Sequence, residues 1–208
     1  MRSAGGSTFT EQARREQIVA AAMRVIADGG YAQASVAKIA EHIGVAKSVV
    51  LYHFKTKNDI IEAVVAAVFT AAAAQMVPAM AAATSPADRL AAYIRSNVGF
   101  IDGNPVAATA MLEIVTGYRS SSGLRLDQAA SATPPPEDAG LAALDPESIF
   151  IDGVRSGQFR PMSPTFMKNA VRAALDGAVW ELARDPSYDV LGYGEELVIT
   201  FDLATRRQ

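Results

Sequence analysis

Both histidines of this 208-residue chain and four of its five lysines fall between Ser35 and Lys57. A catalytic or metal-binding reading of that cluster fails on numbers. There is no Cys, and two histidines eleven residues apart cannot make a three-His zinc site. No Gly-rich phosphate loop, G-x-S-x-G or H-E-x-x-H occurs, and no pair of carboxylates is marked out by its surroundings. No cofactor and no metal are expected, and the chain does not read as an enzyme. What the cluster can do is meet an anionic polymer. Lys47 can donate to guanine O6 and N7, Ser48 can reach a base or a phosphate, and Val49 offers apolar contact to a thymine methyl. Lys38, Tyr52, His53, Lys55 and Lys57 are placed to meet phosphates beside a groove, and the Ser35 hydroxyl can face another. His42 reads as a surface or packing residue.

Positioning those groups needs two short helices about Gly44-Val45-Ala46. A steeply crossing pair requires a small residue at the crossing, which Ala40 supplies. The turn requires a residue tolerant of positive φ, which Gly44 supplies. Ile39, Ile43, Val45 and Val50 form the expected buried seam. The second helix, starting at Lys47, would enter the major groove of double-stranded DNA. The formal net charge of −3 conceals this. Residues 1–60 carry eight Lys+Arg against five Asp+Glu, a net of +3, and the remainder carries −6.

The rest of the chain reads as helix throughout. Forty alanines make up much of its hydrophobic half, and no segment sustains a period-two alternation. Ser85-Pro86, Asn104-Pro105, Asp145-Pro146 and Ser163-Pro164 each put an N-cap residue before Pro at the first helical position, and Thr56 to Asp59 is close to a capping box. The expected helices are about 10–27, 36–43, 47–54, 58–76 (ended or kinked by Pro78), 87–102, 105–121, 146–156, 164–184 and 192–206. The uncharged run Ala63–Ala87 is long enough for a membrane span, but it is mostly Ala, is broken by Pro78, and has no flanking basic cluster. It reads as a core helix, with no membrane partner. The Gly/Ser-rich start lacks a signal-peptide apolar region, and the expected compartment is the cytoplasm. The organisation is thus all-α: a disordered tail (1–9), a three-helix helix-turn-helix domain (10–56), and a helical effector-binding and dimerisation domain (57–208) with a mobile loop at about 120–145. That loop is expected to hold a short helix near 124–130.

Residues 11–69 resemble the TetR (tetracycline-repressor-like) transcriptional regulators. The resemblance is carried by Ile18-Val19-Ala20-Ala21-Ala22, Gly29-Gly30-Tyr31, Ser35-Val36-x-x-Ile39-Ala40, Gly44-Val45-Ala46-Lys47 and Tyr52-His53-Phe54-Lys55-Thr56-Lys57. Gly157-Gln158-Phe159-Arg160-Pro161, followed by a long helix, resembles the family's lead into its dimerisation helices. The resemblance implies an all-helical homodimer with an N-terminal DNA-binding domain. Two positions depart from it. Leu51 stands where the family commonly has a Tyr that touches the DNA backbone, and Ala37 where a polar or basic residue is common. Both bear on the operator sequence.

The 164–184 helix is apolar or small around most of its circumference, so two sides of it need covering. Ala174, Gly177 and Ala178, with Leu197, Val198 and Phe201 of the last helix, are the expected dimer interface, closing a four-helix bundle with the symmetry mate. Phe100, Met111, Val115, Tyr118, Phe150 and Trp180 are the expected lining of a pocket for a small, mostly apolar effector, with Ile114 and Phe159 beside them. Asn97, Glu113, Thr116 and Arg119 would supply polarity. The expectation is a repressor on a palindromic operator, released by that effector. Control by a partner protein is the alternative.

Overall fold

The computed structural model describes residues 9–120, 123–126 and 144–207. Nine α-helices and one short 3-10 turn (Tyr31–Gln33) occur among them: α1 Phe9–Gly29, α2 Val36–His42, α3 Lys47–His53, α4 Lys57–Ala81, α5 Pro86–Gly103, α6 Pro105–Gly117, α7 Glu147–Arg155, α8 Pro164–Arg184 and α9 Val190–Thr205. The only strand-like pairing described is an isolated bridge between Phe159 and Arg206, which pins the end of α9 to the stretch after α7. Helices α1, α2 and α3 form a head. Helix α4 packs on α1, α5 and α6, while α5 packs on α4, α7, α8 and α9.

Most starts lie where the cap chemistry puts them. The side chains of Ser35, Ser85 and Ser163 accept the backbone N–H three residues on, and Thr56 with Asp59 forms a full capping box. That reciprocal bonding, first from the Thr56 hydroxyl, holds the Asp59 carboxyl below its ordinary value. Asn104 departs from expectation. Its side chain makes no cap bond to α6 and instead donates to the Phe100 carbonyl, closing α5. Asp189, which the dipeptide pattern did not mark, caps α9 by accepting from Gly192 N–H at 2.9 Å.

Pro78 does not end α4: the helix runs on to Ala81, one turn past it. The proline removes one intrahelical N–H bond, and Met76 and Met80 on either side of it are both buried. α4 is long and apolar enough to cross a membrane by length and composition. Its Ile60, Ile61, Val64, Val68, Ala72 and Met76 are instead buried at helical spacing, as in a core helix. Phe9 opens α1 and is not part of a tail. The residues before it, and nearly all of the expected 120–145 loop with its short helix, lie outside the described residues.

Ion pairs tie the body together. Arg95 makes a two-pronged pair with Glu195 at 2.7 Å, joining α5 to α9, and Arg89 meets Asp152 of α7 at 3.1 Å. Lys168 of α8 is gripped by Glu147 and by Asp145. Burial opposes its charge, but these carboxylates hold its ammonium above the ordinary lysine value. At the centre the Phe150 ring is fully buried, 6.2 Å from that of Phe159. Phe150→Ala is expected to cost about 3–5 kcal/mol, read by urea denaturation. A loss below about 1 kcal/mol would mean that the site is not closed core.

Candidate DNA-reading head and its junction with the body

The head is built as the turn chemistry requires. Gly44 has φ +68°, and Val45 N–H bonds back to the Ala40 carbonyl at 3.0 Å. This closes the turn over buried Ile39 and Ala40, while Val50 and Phe54 turn inward from α3. Seven-residue α3 then leaves Lys47, Ser48, Val49, Leu51 and Tyr52 exposed. Tyr52 is 75% exposed, and its ring meets that of His53 edge-on at 5.0 Å. Lys38 and Lys55 are also exposed, whereas the Ser35 hydroxyl is occupied as the cap of α2, accepting from Lys38 N–H.

Arg15 fixes the far end of α3. Its guanidinium donates to the His53 carbonyl and lies 4.1 Å from the centre of the Phe54 ring. A cation on the C-terminal carbonyls of a helix is favourable in itself, and here it sets α3 against α1. Nothing in the spacing of α1 singled out Arg15.

Lys57 departs from its expected phosphate-facing place. Its ammonium donates to the Tyr31 carbonyl at 2.9 Å and lies 4.2 Å from the centre of the Tyr31 ring. Burial lowers it from the ordinary lysine value. The spacing suggested a phosphate contact because Lys57 follows Lys55 closely, but helix α4 starts at Lys57 and turns it toward the 3-10 turn. Tyr31 is gripped from the body as well. Its N–H donates to a Glu113 carboxylate oxygen of α6 at 3.2 Å, and its ring meets that of Tyr118 edge-on at 6.2 Å. Gly117 leaves room for it, since a Cβ there would stand 2.8 Å from Tyr31 Cδ1. Burial, and then Tyr118, push the Tyr31 phenol up.

Among the described residues, the expected effector lining does not as a set surround either of two cavities. Phe100, Phe150 and Tyr118 are buried, while Met111 and Val115 are half-buried and Met111 packs on the core. A cavity of ≈ 230 Å³ lies beside α4, lined by Ile61, Glu62, Val65, Ala66, Phe69, Tyr118 and Leu126; of the expected lining, only Tyr118 reaches it. Another, of ≈ 150 Å³, sits between α5 and α9. Trp180 is 54% exposed and lines neither. Helix phase explains this: α8 buries Met167, Val171, Leu175, Ala178 and Val179, and Trp180 falls off that stripe.

The expected dimer residues shift for the same reason. Ala178, Leu197 and Phe201 are buried within the protomer, with Val198 half-buried. Gly177 and Ala174 accommodate Tyr193 of the same chain, whose hydroxyl donates to the Ala174 carbonyl at 2.7 Å. What α8 and α9 leave exposed is Phe166, Trp180, Leu191, Ile199 and Leu203.

Residues 18–64 match the family described as bacterial regulatory proteins, tetR family. Over 45 residues the chain is 49% identical to the fatty acid metabolism regulator protein of Bacillus subtilis (strain 168). That stretch spans 22% of this chain and 23% of the relative, less than a quarter of its length. In fold the chain is similar to the fatty acid degradation regulator FadR of Bacillus halodurans, with a TM-score of 0.74 and 20% identity over 92% of this chain and 99% of that one. It is also similar to the transcriptional regulator FadR of Bacillus subtilis in complex with stearoyl-CoA, with a TM-score of 0.66 and 22% identity over 88% and 95% of the two chains.

The Tyr31 junction can be tested without DNA. Glu113→Ala removes the acceptor of the Tyr31 N–H, which is expected to cost about 1 kcal/mol. By hydrogen exchange the Tyr31 amide should then exchange roughly fivefold faster, the factor that energy corresponds to. Unchanged exchange would show that Glu113 does not hold the turn.

Proposed function

We propose that this chain, whose residues 18–64 match the tetR family of bacterial regulatory proteins and whose fold is similar to that of FadR, is a homodimeric repressor of a palindromic operator, released by a long-chain fatty acyl thioester. The observation that carries the dimer is the exposed apolar stripe. Leu191, Ile199 and Leu203 recur at multiples of four residues along α9, and Trp180 lies on neighbouring α8. Burying one such side chain contributes about 1.5–3 kcal/mol, and a two-fold axis uses each twice. Two heads held about 34–36 Å apart would then reach successive major grooves. In each, Lys47, Ser48 and Val49 face the bases, and Lys38, Tyr52, His53 and Lys55 the flanking phosphates. Ser35 serves the site by capping α2.

The ligand class comes from the relatives, one of which is described with stearoyl-CoA bound. The helical, apolar body is compatible with it. Cavities of ≈ 150 and ≈ 230 Å³ are below the roughly 300–1,000 Å³ of ordinary ligand pockets. A long acyl chain would therefore bind an opened body, parting Phe100, Met111, Val115 and Phe150. α6 carries Met111 and Val115 on the same helix as Glu113 and Gly117, which hold Tyr31. An opening that moves α6 thus moves the head. A ligand favouring that state shifts the population away from the DNA-competent spacing.

Two measurements test this. Leu203→Glu with Ile199→Glu should give a monomer by analytical ultracentrifugation; a dimer that persists would refute the interface. Selection from random DNA should return a palindrome, and stearoyl-CoA should weaken binding to it by at least about tenfold, against no effect of free coenzyme A. Equal binding with and without stearoyl-CoA would remove the effector class while leaving the dimer in place.

A further inference from the structure

The reading helix lacks most of the groups that distinguish bases by hydrogen bonds. Helix α3 is Lys-Ser-Val-Val-Leu-Tyr-His, with no Arg, Asn, Gln, Asp or Glu. Adenine is ordinarily read by a bidentate Asn or Gln and cytosine by a carboxylate, while Arg or Lys reads guanine. Of those readers only Lys47 is present. An A·T pair still carries one further mark in the major groove, the C5-methyl group of thymine, and it is apolar.

The helix presents apolar groups to match. Successive residues lie 100° apart. With Val50 turned into the core, Ser48 and Tyr52 point outward, and Leu51 and Val49 flank them on opposite sides. Val49 is 36% and Leu51 38% exposed, both on a helix otherwise fitted for water. We propose that Val49 and Leu51 each read a thymine methyl, so that thymines at two separate positions of each half-site set the operator preference. This rests on the DNA-binding reading above and adds which base chemistry is recognised.

The test uses the full chain and the operator it selects from a random pool. Each thymine is replaced in turn by deoxyuridine, symmetrically in both half-sites, which removes only the methyl. Losing one buried methyl is expected to weaken binding about fourfold per half-site, or roughly fifteenfold for a symmetric pair. Leu51→Ala should abolish the deoxyuridine penalty at one position and Val49→Ala at the other. Both should leave the melting temperature unchanged, since neither side chain is in the core. If the wild-type chain binds the fully uridine-substituted operator as tightly as its parent, methyl reading is wrong, while the selected motif still shows that the head reads DNA. A penalty that persists in both alanine variants refutes the assignment to these two residues. If no motif emerges from the pool, the DNA-binding reading fails and this one with it.

Discussion

The backbone of Tyr31 is the point on which head and body both depend. A turn after a long helix has amide and carbonyl groups with no partner inside the helix, and leaving them unpaired in a protein interior is costly. Here the N–H is satisfied by Glu113 of α6, and the carbonyl accepts both from Ala34 N–H within the turn and from Lys57 at the start of α4. The ring fills the space that Gly117 leaves and meets the Tyr118 ring edge-on. The third corner of the head is therefore finished by residues from elsewhere in the chain. The expected domain boundary lies near Thr56, but packing crosses that point, through α1 on α4 and α1 on α6. On the proposed mechanism, docking of this kind would turn a small displacement of α6 into a displacement of the reading helix, because packed interfaces do not deform smoothly.

Much of this architecture was legible in the sequence, for local reasons. Cap residues, Pro at first helical positions and Gly44 act within a few residues of themselves, so helix order and the reading head followed directly. The failures were non-local. α8 mixes Ala and Gly with its charged Lys168, Arg172 and Asp176, so small residues that suit either face blur its phase, and Trp180, expected in a lining, faces out. Ala178, Leu197 and Phe201, expected at an interface between copies, are buried within their own protomer. Asn104 sits between two helices and could cap either. Lys57 has the spacing of a phosphate ligand, and only the fold brings the Tyr31 carbonyl within its reach, twenty-six residues back.

Arg15 shows what such reasoning misses in the head itself. Its guanidinium serves twice at once, with one face over the Phe54 ring and an N–H on the carbonyl at the end of α3. The set of α3 against α1 is thereby determined by a side chain that makes no claim on a base. Positional accuracy at a reading surface comes from such supports as much as from the groups that touch the target.

The uneven distribution of charge has a consequence before any contact forms. With a surplus of positive charge around the head and of negative charge on the body, the molecule is an electric dipole in the field of a polyanion. Within about a Debye length of DNA, roughly 8 Å at physiological salt, that field exerts a torque. It turns the head forward and repels the body. Encounters in the wrong orientation are thus discouraged by the same acidic residues that give the chain its negative total. Its overall charge is a property of orientation as much as of solubility.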